Sequence, residues 1–324
     1  MQPGRRRFLR LTATAALLPP FLRLASAQSY PAGPARIVVG FAPGGSTDVY
    51  ARLISKWLAD RFGQPFTTEN RPGAGTNIAT EAVVRSAPDG QTLLLVTVAN
   101  AINATLYQKL NFNFIRDIRP VAPIARQPEV IVVNPSFPAM TVSELIAYAK
   151  ANPGKITMAS SGNGSPSHIS GELFKMMAGV DIVHVPYRGA TPALTDLLGG
   201  QTQLFFPGLA AAIEYIKNGQ LRALAVTTAA RWEALPSLPT VGEFLPGYES
   251  SVWFGIGAPK NTSPVIIDTL NASINAGLAD PKMKAAFARW GGIELAGSPA
   301  DFGQLIATET EKWAKVIKFS GAKV

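Results

Sequence analysis

The stretch IVVGFAPGGSTDVYARLISKWLADRF, residues 37–62, decides the fold. Ile37, Val38 and Val39 form a β-branched run suited to a buried strand. Pro43 lacks an N–H, and Gly44 and Gly45 favour a tight turn, so the strand ends there. Ser46 or Thr47 is placed to cap a following helix. Val49, Leu53, Ile54, Trp57, Leu58 and Phe62 then recur at helical spacing and predict one apolar face. A helix N-terminus with free N–H groups thus stands at the end of a strand, where an anion is favoured. Most such turns only connect, and this one is neither a phosphate loop with Gly-Lys-Ser/Thr nor a G-x-G-x-x-G loop. Its weight comes from similar loops further on.

Before this unit the chain opens with Arg5, Arg6, Arg7 and Arg10, a mostly apolar segment, and Ala25-Ser26-Ala27 before Gln28. This predicts an export signal over residues 1–27, cleaved after Ala27. Arg-Arg-x-Phe-Leu-Arg resembles the twin-arginine signal; the alternative is a general secretory signal with a strongly basic end. The segment holds five of the 30 basic residues and no acid, so the mature chain carries 25 basic against 21 acidic residues, +4 rather than +9. No Lys/Arg cluster remains to suggest nucleic acid or a membrane surface. The 324 residues contain no cysteine and two histidines, His168 and His184, which excludes disulfides, thiolate catalysis and histidine-rich metal sites. No metal and no cofactor is expected.

Strand, glycine loop and helix recur along the chain. Residues 65–70 read as a strand, Arg71-Pro72-Gly73-Ala74-Gly75-Thr76-Asn77 as a loop with Thr76 or Asn77 as cap, and TLLLVTV at 92–98 as a buried strand. That is a β-α-β-α-β pattern, implying a mostly parallel sheet with helices on its faces. Residues 100–119 read as irregular or edge structure with a short helix near 101–109. Prolines 123, 128 and 135 predict only short strands at 121–124 and 130–133, in a crossing between lobes. A second block follows, with loops Ser161-Gly162-Asn163-Gly164-Ser165-Pro166-Ser167, Pro186-Tyr187-Arg188-Gly189-Ala190 and Pro207-Gly208. Residues 252–258 form one more strand, and three helices starting near Pro264, Pro281 and Pro299 finish the chain.

In open α/β sheets, ligands sit at the carboxyl ends of the strands. These loops bring backbone N–H groups and hydroxyls suited to orienting carboxylate oxygens. An enzyme is less well supported. Gly162-Asn163-Gly164-Ser165 is not G-x-S-x-G, and His168 stands at a helix start, where packing or a hydrogen bond explains it as well as acid–base chemistry. Asp48, in the first helical turn, reads as a buttress of its loop. Arg188 is the best candidate for a direct charge contact, with a salt bridge inside its own lobe as the alternative.

Phe41-Ala42-Pro43-Gly44-Gly45-Ser46-Thr47-Asp48, Asn70-Arg71-Pro72-Gly73-Ala74-Gly75-Thr76-Asn77-Ile78, His184-Val185-Pro186-Tyr187-Arg188-Gly189 and Asp196-Leu197-Leu198-Gly199-Gly200-Gln201 occur in that order after the export signal. The combination resembles the Bug-type periplasmic substrate-binding proteins of tripartite tricarboxylate transporters, over essentially all of the mature chain. The resemblance implies a two-lobed α/β periplasmic binding fold (a Venus flytrap), each lobe a mixed, mostly parallel sheet flanked by helices. The lobes are expected at 28–126 plus 253–324 and at 127–252. It also implies a non-catalytic protein of the periplasm, expected as a monomer, that closes around a small organic acid and passes it to membrane permease subunits. The site residues it implies are Phe41, Pro43, Gly44, Gly45, Ser46, Asp48, Ala74, Gly75, Thr76 and Asn77 from the first lobe. From the second they are Ser161, Gly162, Ser165, His168, Tyr187, Arg188 and Gly189. The chain departs from the family pattern in three places. Thr76 stands where glycine is usual and adds bulk and a hydroxyl beside the expected ligand. Arg188 stands where lysine is frequent, and Asn111–Asp117 lacks an Asp-Pro. Rivals from other classes are a secreted hydrolase of small esters or amides and a ligand-sensing subunit of a membrane receptor.

Overall fold

The computed structural model describes residues 30–320. The expected export signal lies outside them. Strand β1 (Ala35–Val39) buries Ile37, Val38 and Val39, and helix α1 (Ser46–Phe62) follows across the glycine turn. The buried face of α1 centres on Tyr50, Ile54 and Leu58, spaced four apart, whereas Leu53, Trp57 and Phe62 are only partly covered. The face turns this way because Tyr50 packs on Phe254 and Phe287 and its hydroxyl finds Gln127. The expected cap by Ser46 or Thr47 is not made. Gly45 is the N-cap, without a side-chain bond, and Ser46 Oγ instead donates to the Gly208 carbonyl 3.2 Å away.

The remaining first-lobe elements are β2 (Phe66–Asn70), α2 (Asn77–Val84), β3 (Thr92–Thr97), α3 (Val98–Leu106), the short α4 (Phe114–Asp117) and β4 (Ile118–Pro128). The chain then enters β5 (Val130–Val133), α5 (Val142–Ala151), β6 (Thr157–Ser160), α6 (Pro166–Ala178), β7 (Val183–Pro186), α7 (Ala190–Leu198), β8 (Leu204–Phe205), α8 (Leu209–Lys217) and β9 (Arg222–Val226). It closes with β10 (Ser251–Pro259), α9 (Pro264–Ala279), α10 (Pro281–Arg289), β11 (Ile293–Glu294) and α11 (Pro299–Ser320). One sheet has the order β11-β4-β10-β3-β1-β2, the other β7-β6-β8-β5-β9. Parallel pairing holds where strand–loop–helix units repeat, in β2-β1-β3 and β7-β6-β8. Pairing is antiparallel around β10, β4, β5 and β9, where the chain passes between sheets. Each sheet is therefore mixed, with apolar cores on its faces.

Residues 100–119 are more regular than their sequence suggests. Asn100, which reads there as the start of irregular chain, closes a capping box with Thr97 and starts α3 inside the core. The prolines also do not shorten β4, which runs for 11 residues. Pro123 and Pro120 pair opposite Gly255 and Gly257, beside two register shifts that absorb the missing donors. β4 leads to the crossing at Glu129, whose N–H donates to Thr227 Oγ1 (2.9 Å) and whose carbonyl accepts from Thr227 N–H (3.0 Å). Ser250 N–H donates in turn to the Thr227 carbonyl at 2.8 Å. Outgoing and returning segments thus run side by side between the two sheets.

Candidate functional site

The loop after β1 is held from behind. Gly44, at φ +86°, donates its N–H to Asp48 Oδ2 (3.0 Å), and Arg52 Nε donates to the same oxygen (2.8 Å). Burial alone would raise the Asp48 pKa, but the bonds from Arg52 and Gly44 outweigh it and hold the carboxyl below its usual range. Asp48 therefore braces the turn. Thr76, at φ +89°, is buried, caps nothing, and accepts from Asn100 Nδ2 at 3.3 Å. A Cβ on Gly40 would lie 2.5 Å from Thr76 Cβ, so this threonine packs against the chain at the start of the first loop. Asn77, also buried, meets Asn103 (3.4 Å), whose amide nitrogen donates to the Gly75 carbonyl at 2.5 Å.

The second-lobe loops are braced in the same manner. Ser165 is fully buried, and its Oγ caps α6 by accepting from His168 N–H. His168 Nδ1 accepts from Gly164 N–H (3.2 Å), and its ring stacks on His184 at 4.0 Å between centroids. His184 Nε2 lies 2.6 Å from Ser160 Oγ. Burial pushes both imidazoles down to about 4, so they are neutral near pH 7 and serve as packing and hydrogen-bonding posts. The Tyr187 hydroxyl donates to Asp196 Oδ2 (2.6 Å), and burial together with Asp196 pushes the phenol up to about 12. Arg188 is exposed, and among the described residues no carboxylate lies within ion-pair distance of its guanidinium.

Loops from both sheets face one another. They enclose an outer cavity of about 510 Å³ walled by Phe41, Ala74, Gly75 and Tyr107 on one side and Ser161, Gly162, Asn163, Tyr187 and Arg188 on the other. Behind it lies a second, inner pocket of about 50 Å³, which shares Phe41 and Ser161 with the first. Ser46, Thr47, Thr97, Gln127, Glu129 and Ser167 contribute polar groups to its wall. The lobes touch across this gap. Ala42 N–H donates to the Arg188 carbonyl (3.2 Å), Thr191 Oγ1 to the Pro43 carbonyl (2.5 Å), and Ser46 Oγ to the Gly208 carbonyl.

Of the residues expected at the site, Phe41, Gly45, Ser46, Ala74, Gly75, Ser161, Gly162, Tyr187 and Arg188 line these cavities. Pro43, Gly44, Asp48, Thr76, Asn77, Ser165, His168 and Gly189 do not; they shape the loops or bring the lobes together. A Cβ on Gly189, for instance, would lie 2.8 Å from Ala42 Cβ. Gln127 and Glu129 were not anticipated. The visible signal was a pair of polar residues two apart beside the apolar run 130–133. Glu129 is 1% exposed and among the described residues has no cationic partner; burial pushes its carboxyl up to about 8, against bonds from Ser170 and Ser250 that pull it down. Among the described residues there is no cluster of three or more His, Asp or Glu able to hold a metal, and no helix long and apolar enough to cross a membrane.

Known proteins share this architecture. The family model described as "Tripartite tricarboxylate transporter family receptor" matches residues 50–322. Protein BugT of Bordetella pertussis is 39% identical over 302 residues, covering 92% of this chain and 93% of that protein. The structure of R. palustris Rpa4515 with adipate is 38% identical and superposes with a TM-score of 0.89, over 91% of this chain and all (100%) of the other. Periplasmic binding protein BugD superposes at 0.88 with 33% identity, over 91% of this chain and 99% of that one. MatC (Rpa3494) from Rhodopseudomonas palustris with bound malate superposes at 0.85 with 30% identity, over 89% of this chain and 100% of its own. Family model, relatives and superpositions agree with the likeness of the loop sequences: the chain belongs to the tripartite tricarboxylate transporter family of receptors.

Proposed function

We propose that the mature chain is a periplasmic solute-binding protein that closes around a small organic acid and delivers it to the membrane subunits of a tripartite tricarboxylate-type transporter. The observation that carries this reading is the outer cavity, where glycine loops from two sheets meet and an unpaired Arg188 stands at the wall. Backbone N–H groups from opposed loops, with that guanidinium, suit carboxylate oxygens. Phe41, Gly45, Ser46, Ala74, Gly75, Ser161, Gly162, Tyr187 and Arg188 would meet the ligand. The other expected residues would hold the loops in shape. Lobes at 28–126 plus 253–324 and 127–252 would close about the crossing at Glu129 and Thr227, and ligand would favour closure through contacts to both at once. Export by a signal cleaved after Ala27 and action as a monomer complete the proposal. The relatives with adipate and malate support the ligand class. No covalent step is included, since the buried His168 and the half-buried His184 are engaged with each other and with Gly164 and Ser160, and neither lines the cavities.

The experiment is a thermal-shift and calorimetric screen of mono-, di- and tricarboxylates against the purified mature protein, with product analysis alongside. Saturable binding of an acid with a raised unfolding midpoint and no product is expected. Turnover of an ester or amide without saturable acid binding would replace this reading with a hydrolase.

A further inference from the structure

Two residues that line the inner pocket each carry a buried polar atom with no hydrogen-bond partner among the described residues. Gln127 is fully buried, and its Oε1 accepts from Ala210 N–H (3.0 Å) and from the Tyr50 hydroxyl (3.3 Å). Those two donors fix which way the amide points. They leave Nε2, beside Gly208 and Ser46, without a partner. Glu129 follows two residues later on extended chain, so both side chains share a face. Its Oε2 lies in a triangle with Ser170 Oγ and Ser250 Oγ, the serines 2.6 Å apart, Ser250 3.1 Å from Oε2 and Ser170 closer still. Its Oε1 has no partner.

A carboxyl proton on Oε2 joins the two serine hydrogens in a ring of three hydrogen bonds among these oxygens. Among the described residues no cation pairs with this carboxyl, and its upward shift on burial agrees with the proton. Oε1 is then a carbonyl oxygen, an acceptor, set in the same small pocket as the Gln127 donor. A carboxylate placed there would find one donor, but its second oxygen would face Glu129 Oε1 with no hydrogen between them. A primary amide satisfies both, offering N–H to Glu129 and its carbonyl to Gln127. A pocket of about 50 Å³ has room for a head group of that size, since about 10–15 Å³ of such space already holds one water.

We infer that the inner pocket seats a neutral head group bearing both a hydrogen-bond donor and an acceptor, a primary carboxamide, between Gln127 and Glu129, while the acid end of the same ligand stays with the outer loops. The ligand class is thus a half-amide of a dicarboxylic acid rather than the diacid. This assignment rests on the acid-binding reading of the outer cavity.

Matched trios on three skeletons test it by calorimetry with the mature chain: butyrate, succinamate and succinate; hexanoate, adipamate and adipate; benzoate, 4-carbamoylbenzoate and terephthalate. The half-amide should bind at least about tenfold tighter than both partners in a trio, as expected when buried polar groups are otherwise left unpaired. Glu129→Gln keeps the carbonyl and fills the serine triangle with N–H, so the preference should stay within about threefold. Glu129→Met removes the acceptor and should abolish the preference; a merely structural role would weaken all three acids alike, leaving their ratio unchanged. If the diacid binds as tightly as the half-amide, or the half-amide no better than the monoacid, the inner pocket holds only water and the inference falls alone. If no acid of any trio binds, the acid-binding reading falls and takes the inference with it.

Discussion

The backbone N–H of Ala42, in the loop after β1, donates to the carbonyl of Arg188, in the loop after β7, across a distance of 3.2 Å. One residue comes from each side of the cleft, and both lie beside residues that line the outer cavity. Wall and clasp are therefore parts of the same two loops. On the proposed closure, a ligand held by these loops would also align the bond that joins the lobes and so would bias the open–closed equilibrium.

Gly75→Ala should obstruct closure. Gly75 adopts φ +60°, and an added Cβ would lie 2.5 Å from the Asn163 carbonyl oxygen on the opposite lobe. The positive φ costs about 1 kcal/mol for alanine. The larger effect is on the cleft, because the obstacle is backbone and cannot swing aside. Small-angle scattering with saturating acid should show a radius of gyration that no longer contracts. Calorimetry should show affinity reduced at least about tenfold.

Thr191→Val isolates the clasp from the wall. Thr191 is exposed, and its hydroxyl reaches the Pro43 carbonyl across the gap at 2.5 Å. Valine keeps the shape and removes one hydrogen bond of about 0.5–1.5 kcal/mol. With the lobes closing as proposed, opening would break that bond, and its loss should lower affinity about two- to tenfold. The unfolding midpoint without ligand should hardly move, since each lobe keeps its own core.

Much of this architecture was legible locally. Runs such as Ile37–Val39, and glycine loops opening into helices, report burial and turns within a few residues, and the parallel units follow from them. What escaped depends on partners far along the chain. The prolines of β4 are tolerated because Gly255 and Gly257 stand opposite them, more than 130 residues later. Nothing local to Thr76 shows that Gly40 and Asn100, from distant parts of the chain, pack around it. The inner pocket joins Ser46, Gln127 and Gly208, a convergence no window of sequence contains.

Stability should peak near pH 6.5, where the histidine contribution is complete and the Glu129 slope is left alone. The Glu129 carboxyl stands near 8 in the fold against an ordinary 4.5, so the folded state keeps a proton that the unfolded chain has lost. Its contribution is complete below about pH 4.5 and is lost as pH rises through 8. His168 and His184 stand near 4 against 6.5, so theirs is complete above 6.5 and is lost as pH falls toward 4. Between pH 6.5 and 8 the Glu129 slope acts without the histidines and should remove about 2 kcal/mol. Urea unfolding at half-unit pH steps measures it. Glu129→Gln should flatten the alkaline slope and steepen the acid slope, which Glu129 opposes between pH 4.5 and 6.5; an alkaline slope that survives in the variant assigns it to other groups.

Arg188→Gln separates a ligand contact from a structural one. An arginine engaged in an ion pair of its own lobe would cost stability when neutralised. Among the described residues Arg188 has no such pair, and its side chain is exposed at the outer cavity. The carbonyl that Ala42 reaches is backbone and survives the substitution. The midpoint should therefore stay within about 1 °C, the small effect usual for an exposed site. Acid affinity should fall about tenfold, by about 1.4 kcal/mol, if the guanidinium holds a carboxylate oxygen in partial contact with water. Salt gives the second readout. Wild-type affinity should weaken between 0.01 and 1 M ionic strength, as the Debye length contracts from about 30 to about 3 Å, while the variant's should vary less. Equal salt dependence in both proteins would place the acid's charge away from Arg188 and leave its recognition to the backbone N–H groups of the loops.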